Sequence, residues 1–399
     1  MTQIVLLENV HPSASEVFKT AGYADIITHA SALSKTDLLD AVSSATILGI
    51  RSRTLVDAEI LHAARHLRAV GCFCIGTNQV DLETALSLGI PVFNAPFSNT
   101  RSVAELVLAE AIMLLRRIPE KNARVHAGFW DKTADGAFEA RGKTLGIIGY
   151  GNIGSQVGTL AEAAGMRVVF HDVEAKLPLG NARAARSLKD LLSQSDVVTL
   201  HVPGWPSTHD LIDADALAWM KSGAILINAS RGTVVNIEAL HQAITQGHIS
   251  GAALDVFPVE PKGKNEPLDS PLRGLSNVIL TPHIGGSTQE SQANIGREVA
   301  EKLVQFLQSG ATKGSVNFPE ISFQAPSGSA RILHIHKNLP GALGTLSNVM
   351  ATHGLNIVSQ HLQTRGQIGY VISDVEGAVD QATLDDLRQQ AVTIRCERL

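Results

Sequence analysis

Residues 143–172 read KTLGIIGYGNIGSQVGTLAEAAGMRVVFHD and set the architecture predicted for the whole chain. A short apolar run that favours a strand leads into Gly149, Gly151 and Gly154, and a segment with helical periodicity follows. In such a unit the first glycine makes the tight turn, the second leaves room for a pyrophosphate, and the third lets the helix pack closely on the strand. The N-terminus of the helix meets the negative charge. The motif therefore predicts a dinucleotide-binding unit.

The second strand of this unit ends at Asp172, about 20 residues after the glycines. A carboxylate at this position accepts a hydrogen bond from a ribose 2′-hydroxyl, and it repels a 2′-phosphate. The next residues, Val173 and Glu174, provide no arginine that could receive such a phosphate. The predicted cofactor is therefore NAD rather than NADP.

The composition indicates two or three domains and reduced thiols. The chain has 399 residues and a formal net charge of −5, which gives no support for binding to nucleic acid or to a membrane surface. No apolar run reaches the roughly 18 residues that a membrane span requires, and the first residues lack the basic and apolar regions of a signal peptide. The three cysteines, Cys72, Cys74 and Cys396, do not have the spacing of a zinc site. We therefore expect a cytoplasmic protein without a nucleic-acid partner, membrane contact, disulfide or metal.

Polar residues follow several of the apolar strands after residue 143. These strands alternate with helices, which favours a parallel sheet, and ligands of such sheets bind beyond the carboxyl ends of the strands. Asp172, Arg231, Glu260 and His283 all come at or shortly after the end of a predicted strand. We expect these four side chains to lie along one edge of the sheet, beside the cofactor.

Residues 1–98 predict a first α/β unit with candidates of its own. A strand at 46–50 ends at Arg51, Ser52 and Arg53, and a strand at 69–71 leads into a loop at 74–77. The two arginines supply charge suited to a second anionic group on the substrate. The spacing does not choose between a phosphate and a second carboxylate, and either arginine could instead form an ordinary surface ion pair.

The candidates of the second sheet suit hydride transfer to or from a nicotinamide. His283 can change charge close to neutral pH, because an unperturbed histidine has a pKa of about 6.5. Glu260 would fix the tautomer of His283 and raise its pKa by stabilising the imidazolium. Arg231 offers a planar fork for a carboxylate or a carbonyl oxygen. The predicted reaction is the oxidation of a 2-hydroxy acid to a 2-oxo acid.

The remaining patterns predict the domain organisation. A helix at 99–116 carries the chain out of the first unit, and an amphipathic helix at 289–307 is expected to return it. Residues 317–329 favour a linker because they are rich in Pro, Gly and Ser. The rest has the order βαββαβ of a ferredoxin-like domain. The predicted domains are a discontinuous substrate-binding domain (1–98 and 286–327), an NAD-binding Rossmann domain (99–285) and a C-terminal domain (328–399).

Several stretches resemble the D-2-hydroxyacid dehydrogenases, and the similarity covers essentially the whole chain. They are GCFCIGTNQVD (71–81), FNAPFSNTRSVAEL (93–106), LGIIGYGNIG (145–154), INASRGTVV (227–235), DVFPVEP (255–261) and LTPHIGGSTQE (280–290). The resemblance is strongest to the bacterial members that have a C-terminal ACT domain and a phosphorylated substrate. It implies an α/β fold with two Rossmann-like doubly wound parallel-sheet domains, one of them discontinuous, followed by a ferredoxin-like ACT domain. It also implies a homotetramer.

The resemblance implies catalytic roles for Arg231, Glu260 and His283. The predicted cofactor site combines the motif, the acid and residues near later strand ends: Gly149, Gly151, Asn152, Ile153, Gly154, Asp172, His201, Val202, Pro203, Ala229, Ser230, Arg231, Asp255, His283, Gly285 and Gly286. The predicted substrate site comprises Arg51, Ser52, Arg53, Ile75, Gly76, Asn99 and Arg231, and Trp130 and Lys132 are expected to reach a neighbouring active site.

The resemblance to an ACT domain implies L-serine as an inhibitory effector bound between paired copies. The matching positions are His336, Asn338 and Asn356, which taken alone are ordinary turn and strand-edge residues. Where relatives carry paired glycines before this domain, the chain has Gly328 and Ser329, which predicts a stiffer hinge and altered cooperativity.

Alternative functions stay open at this point. A related dehydrogenase could act on glyoxylate, hydroxypyruvate or 2-oxoglutarate. Arg51 and Arg53 argue against glyoxylate, whereas 2-oxoglutarate remains possible as a main or side substrate. Glu260 argues against the formate dehydrogenases, which share the scaffold but carry a Gln–His pair where this chain has Glu260 and His283. The same scaffold serves some transcriptional co-repressors as an NAD-sensing interaction module, and steady turnover of a small hydroxy acid would separate that module from an enzyme.

Overall fold

The computed structural model describes residues 2–261, 266–322 and 330–399. Asn99–Ser291 form one compact unit, and the rest of the described chain forms the other. Each unit is built on its own parallel sheet, and an antiparallel sheet follows at the C-terminal end of the chain. The predicted α/β class with Rossmann-like parallel sheets is confirmed.

The N-terminal residues form a parallel sheet that is covered on both faces. Its elements are β1 (Ile4–Leu6), α1 (Pro12–Thr20), β2 (Ile26–Thr28), α2 (Lys35–Val42), β3 (Ile47–Ile50), α3 (Ala58–Ala63), β4 (Ala69–Cys72), α4 (Leu82–Ser87) and β5 (Val92–Asn94). The strand order is β2-β1-β3-β4-β5. Side chains of alternate residues enter two separate apolar clusters, as is typical of parallel strands between helices. Helices α2, α3 and α4 begin at the capping side chains of Ser34, Asp57 and Asp81.

Residues 99–291 form the second unit around a seven-stranded parallel sheet. Its elements are α5 (Thr100–Leu115), α6 (Ile118–His126), β6 (Thr144–Ile148), α7 (Asn152–Ala163), β7 (Arg167–His171), β8 (Arg183–Ala184), α8 (Leu188–Gln194), β9 (Val197–Leu200), α9 (Ala214–Trp219), β10 (Ala224–Asn228), α10 (Ile237–Thr245), β11 (Ile249–Leu254) and β12 (Val278–Leu280). The strand order is β12-β11-β10-β9-β6-β7-β8, so the direction of winding reverses between β6 and β9. Ligands of doubly wound sheets bind at the carboxyl ends of the strands at this reversal.

The chain then returns to the first unit and ends in the antiparallel sheet. The elements are α11 (Gln289–Ser309), β13 (Ala330–Lys337), α12 (Ala342–Thr352), β14 (Asn356–Arg365), β15 (Ile368–Glu376), α13 (Gln381–Gln389) and β16 (Thr393–Arg398). Helix α11 buries Ile295, Val299 and Leu303 in one cluster with Phe18 and Phe93 of the N-terminal residues. The last sheet has the order β14-β15-β13-β16 with the connectivity βαββαβ, which is the split motif expected from the sequence.

The stretch 317–329 differs in part from the predicted linker. Asn317 accepts a hydrogen bond from the backbone N–H of Val92 and donates one to the carbonyl oxygen of Ile90. Phe318 and Ile321 are buried in one cluster with apolar residues of β13 and β15. The lack of helical periodicity correctly indicated an irregular backbone, but Asn317, Phe318 and Ile321 are buried and Asn317 is hydrogen-bonded, which is not typical of a linker. The predicted boundary at 327/328 and the pair Gly328-Ser329 lie outside the described residues.

Candidate active site

The loop between β6 and α7 has the backbone geometry that the glycine motif predicts. Gly149 has a φ of 89°, and a Cβ atom there would overlap the carbonyl oxygen of His201. A Cβ atom at Gly154 would overlap the carbonyl oxygen of Gly149, so a larger residue would push α7 away from β6. Gly151 faces open space, and α7 begins there without a side-chain cap. The first N–H groups of α7 are therefore available to an anion such as a pyrophosphate.

Asp172 and His201 lie on either side of this loop. Asp172 accepts hydrogen bonds from the backbone N–H groups of Tyr150 (2.7 Å) and Glu174 (2.9 Å), which fixes its carboxylate beside the glycine turn. His201 follows β9, and its Nε2 contacts the hydroxyl of Thr199 at 3.0 Å. Burial lowers the pKa of His201 to about 3, so the ring is neutral. Its buried Nδ1 has no hydrogen-bond partner within the described chain. This nitrogen is therefore available for a hydrogen bond to a bound dinucleotide.

Glu260 and His283 form a hydrogen-bonded pair after β11 and β12. Nδ1 of His283 lies 2.9 Å from Oε2 and 3.1 Å from Oε1 of Glu260. The hydrogen bond that the carboxylate of Glu260 accepts from His283 is the main cause that raises the pKa of His283. Partial burial acts to raise the pKa of Glu260, but the hydrogen bond and charge of His283 and the charge of Arg231 outweigh it and lower the pKa. The pair is therefore arranged to stabilise an imidazolium beside a carboxylate.

Asp255 anchors the turn that carries His283. It is 2% exposed, and its Oδ1 accepts hydrogen bonds from the hydroxyl of Thr281 (2.6 Å) and the N–H of Ile284 (2.7 Å). Its Oδ2 accepts from the N–H of Gly285 at 2.7 Å. His283 has a φ of 55°, which is uncommon for a residue with a side chain. The three donors to Asp255 come from residues before and after His283, so these hydrogen bonds hold the turn that carries His283.

Arg231 follows β10, between the Glu260–His283 pair and the glycine loop. Its carbonyl oxygen accepts a hydrogen bond from the side chain of Asn228 (3.0 Å), and its guanidinium donates to the carbonyl oxygen of Ser230 (2.7 Å). The charge of Arg231 lowers the pKa of both Glu260 and His283, so the three groups lie close together. Asp172 follows β7, three strands from β10 and about 14 Å away at the spacing of neighbouring strands. This separation suits the two ends of an extended dinucleotide.

The predicted substrate residues of the first unit meet at the carboxyl edge of its sheet, and two residues that the sequence did not indicate hold them. Glu8, which follows β1 and is buried, accepts backbone hydrogen bonds from Arg51 (3.1 Å), Arg53 (3.0 Å) and Thr54 (2.9 Å). Gln79 donates to the carbonyl oxygens of Arg51 (2.7 Å) and Gly76 (3.2 Å), which links the two candidate loops. Ser52 lies between the arginines, and the carbonyl oxygen of Ile75 accepts from Asn94 at 2.6 Å. A strand-end position was the one signal that could have indicated Glu8.

Three other predicted residues lie elsewhere in the second unit. Asn99 precedes α5 and lies beside Gly286, where a Cβ atom would come within 2.7 Å of the Asn99 side chain. Trp130 and Lys132 are in the exposed stretch after α6, and Trp130 is 80% exposed. In the described chain they form no hydrogen bond or ion pair with Arg231, Glu260 or His283. Their predicted contribution to a neighbouring site stays a prediction.

The three predicted effector residues do not meet within one chain. His336 of β13 pairs with Gly369, whereas Asn356 of β14 pairs with Glu376 at the opposite end of β15. Asn338 lies at the His336 end, where its side chain donates to the carbonyl oxygen of Gly366 at 3.1 Å. A site that uses all three residues therefore requires two copies of the sheet.

Comparisons with known proteins agree with this geometry. Residues 108–285 match the model of the D-isomer specific 2-hydroxyacid dehydrogenase NAD binding domain. The chain is 55% identical to the D-3-phosphoglycerate dehydrogenase of Haemophilus influenzae and 53% identical to that of Escherichia coli, in both cases over 100% of this chain and 97% of the relative. A solved D-lactate dehydrogenase from Aquifex aeolicus, complexed with NAD and lactic acid, is 28% identical with a TM-score of 0.70 and covers 80% of this chain and 100% of its own. The chain is an NAD-dependent dehydrogenase and belongs to the family of D-isomer-specific 2-hydroxyacid dehydrogenases.

Proposed function

We propose that this enzyme oxidises D-3-phosphoglycerate to 3-phosphohydroxypyruvate with NAD, the first step of the phosphorylated route to L-serine. The His283–Glu260 pair beside Arg231 carries the proposal, because it supplies a proton acceptor and an anion-binding group at the cofactor edge of the sheet. The names of the relatives that are 53–55% identical over the whole chain support this choice of substrate. Arg51 and Arg53 supply the charge that a phosphate requires.

The proposal gives a separate role to each of the three side chains. NAD, when bound, would accept the hydride that leaves the hydroxyl-bearing carbon of the substrate. Nδ1 of His283 faces Glu260, so Nε2 is the nitrogen that is left to take the hydroxyl proton. Glu260 stabilises the imidazolium that forms, and Arg231 binds the substrate carboxylate. Because oxidation releases a proton, each unit of increase in pH shifts the equilibrium by about 1.4 kcal/mol towards the keto acid.

The buried carboxylate of Glu8 is proposed to position both substrate arginines. Glu8→Gln replaces one acceptor oxygen with a donor, so at least one of the N–H groups of the 51–54 loop loses its partner. We expect the KM for D-3-phosphoglycerate to rise about tenfold, as for the loss of one charge-assisted hydrogen bond, with kcat and the KM for NAD within about twofold. Steady-state kinetics measures this, and Glu16→Gln, at an exposed position on α1, is the control. An equal rise in the KM for NAD would show general damage instead of lost positioning.

The C-terminal residues are proposed to be an ACT domain that binds L-serine between two copies and inhibits. The opposite positions of His336 and Asn356 support a site shared between chains, as does the exposure of the edge strand β14. In the same proposal 1–98 with 286–327 bind substrate, 99–285 bind NAD, and the assembly is a homotetramer. None of the helices in the described residues combines the length and apolar character that a membrane crossing requires. The cytoplasmic location stays a prediction.

Parallel assays of NADH oxidation test this assignment. Purified protein is given 3-phosphohydroxypyruvate or 2-oxoglutarate, each with and without L-serine at about millimolar concentration. We expect the phosphorylated acid to give the higher kcat/KM and L-serine to reduce the rate. A preference for 2-oxoglutarate would move the substrate to the second candidate, which Arg51 and Arg53 could also bind. Activity that L-serine leaves unchanged would contradict the proposed effector.

A further inference from the structure

Glu110 is a buried carboxyl group that the catalytic pair does not use. It lies on α5, is 1% exposed, and neither of its carboxyl oxygens has a hydrogen-bond partner in the described part of the chain. Burial, and to a smaller degree the charge of Asp255, raises the pKa of Glu110 to about 8. Glu110 is therefore protonated at neutral pH. A buried carboxyl group without a partner costs stability, and strongly shifted pKa values of this kind cluster at functional sites.

The packing of α5 places Glu110 along the strand that leads to Asp255. Near the start of α5, Val103 lies against Gly285, where a Cβ atom would be 3.3 Å from Val103 and 3.0 Å from Oδ2 of Asp255. Near its end, Leu114 lies against Gly251 of β11, where a Cβ atom would be 3.3 Å away. Glu110 is one turn before Leu114 and about two turns after Val103 on the same face. It therefore covers the part of β11 between Gly251 and Asp255.

Asp255 is the charged group whose interaction with Glu110 changes when Glu110 ionises. Strands β6 and β10 contain no charged residue. Helix α7 contributes Glu162, which lies against Gly180. On α6 and beside it, Arg117 pairs with Glu120, and both Lys121 and Arg124 pair with Asp131. On α5 itself, Arg101 pairs with Glu105 at the surface. These groups are engaged elsewhere, whereas the carboxylate of Asp255 holds the turn of His283.

We propose that Glu110 is a positioning residue for His283, acting through Asp255 and the 281–285 turn. While Glu110 is protonated, it adds no charge beside the carboxylate of Asp255, which holds Thr281, Ile284 and Gly285. Ionisation of Glu110 adds a second buried negative charge that repels this carboxylate. The turn then loosens, and Nε2 of His283 leaves its working position.

The oxidation of D-3-phosphoglycerate between pH 6 and 10 tests the proposal. Oxidation requires neutral His283 as the proton acceptor. If His283 were the only group that titrates, kcat would rise with pH and then stay constant at high pH. We expect kcat of the wild type to fall about tenfold per pH unit above a midpoint near pH 8. Glu110→Gln, which has the same shape and no charge, is expected to keep the plateau. Glu105→Gln, an exposed acid on the same helix, should retain the wild-type fall.

A second measurement does not depend on the substrate and therefore separates this proposal from the proposed function. The pKa of Glu110 is raised from 4.5 to about 8, so the folded state holds a proton that the unfolded state loses, and stability decreases as pH rises through this range. The melting temperature of Glu110→Gln should match that of the wild type near pH 5 and exceed it near pH 8.5. Glu110→Met, also neutral, replaces the glutamine variant if that variant does not fold. A neutral variant with the wild-type loss of kcat above pH 8 overturns the proposal.

Discussion

Replacement of His283 by alanine should lower kcat for hydroxy-acid oxidation by about 10²–10⁴-fold, the usual contribution of a general base. The substrate hydroxyl would lose its proton acceptor, and Glu260 would lose its hydrogen bond with His283. The turn itself is held by the backbone hydrogen bonds to Asp255, which the substitution leaves in place. NADH affinity, measured by fluorescence titration, should therefore stay within about twofold of wild type. Turnover close to that of the wild type would show that another group carries the proton.

Two further variants make this result specific. His66→Ala removes an exposed histidine of the first unit and should leave kcat unchanged. Glu260→Gln removes the carboxylate whose hydrogen bond raises the pKa of His283, so that pKa should fall. The acid limb of kcat/KM for oxidation, which requires neutral His283, should then move to lower pH. The alkaline limb for reduction, which requires protonated His283, should move in the same direction. Opposite shifts of the two limbs would contradict the assigned roles.

The glycine loop and the catalytic candidates could be predicted because their signals are local. Gly149, Gly151 and Gly154 lie in one short turn between a strand and a helix, so their spacing alone determines their geometry. Glu260 and His283 are 23 positions apart, yet both come after strands of one parallel sheet. The rule that such strand ends share an edge was enough to bring them together.

Residues that act through buried hydrogen bonds could not be predicted in this way. Glu8 follows a strand of the same sheet, but a strand-end position does not show that its side chain is buried and accepts hydrogen bonds from residues 43 to 46 positions later. Glu110 belongs to a helix that is apolar on most sides, so periodicity does not distinguish a buried acid from an exposed one. Asp255 was expected to contact the cofactor, and its role in holding the His283 turn emerges only from the positions of three donors. Burial and hydrogen-bond direction depend on the whole fold.

Arg331→Met should lower the free energy of opening of the C-terminal sheet by about 3–5 kcal/mol. Arg331 is 1% exposed, and Nε and Nη2 bind the two oxygens of Asp374 at 2.6 and 2.7 Å. Its Nη1 donates to the carbonyl oxygen of Ser309, at the end of α11, at 2.9 Å. Methionine fills a similar volume but leaves the carboxylate of Asp374 buried without its counter-charge. Native-state hydrogen exchange at β13 and β15 measures the loss at the level of this sheet.

A double replacement distinguishes the lost ion pair with Asp374 from the other lost contacts of Arg331. Arg331→Met combined with Asp374→Leu removes both charges, so the penalty of an unpaired carboxylate disappears and most of the lost stability should return. Arg388→Met removes an exposed partner of Asp385 and a hydrogen bond to the carbonyl oxygen of Cys396, and it should cost at most about 2 kcal/mol, because exposed pairs contribute little and one hydrogen bond contributes about 1 kcal/mol. If the double variant is as unstable as the single one, the hydrogen bond from Arg331 to Ser309, which both variants lack, outweighs the unpaired charge of Asp374. In that case the hydrogen bond to Ser309, together with that from Tyr370 to Gly310, is what anchors the sheet to the end of α11.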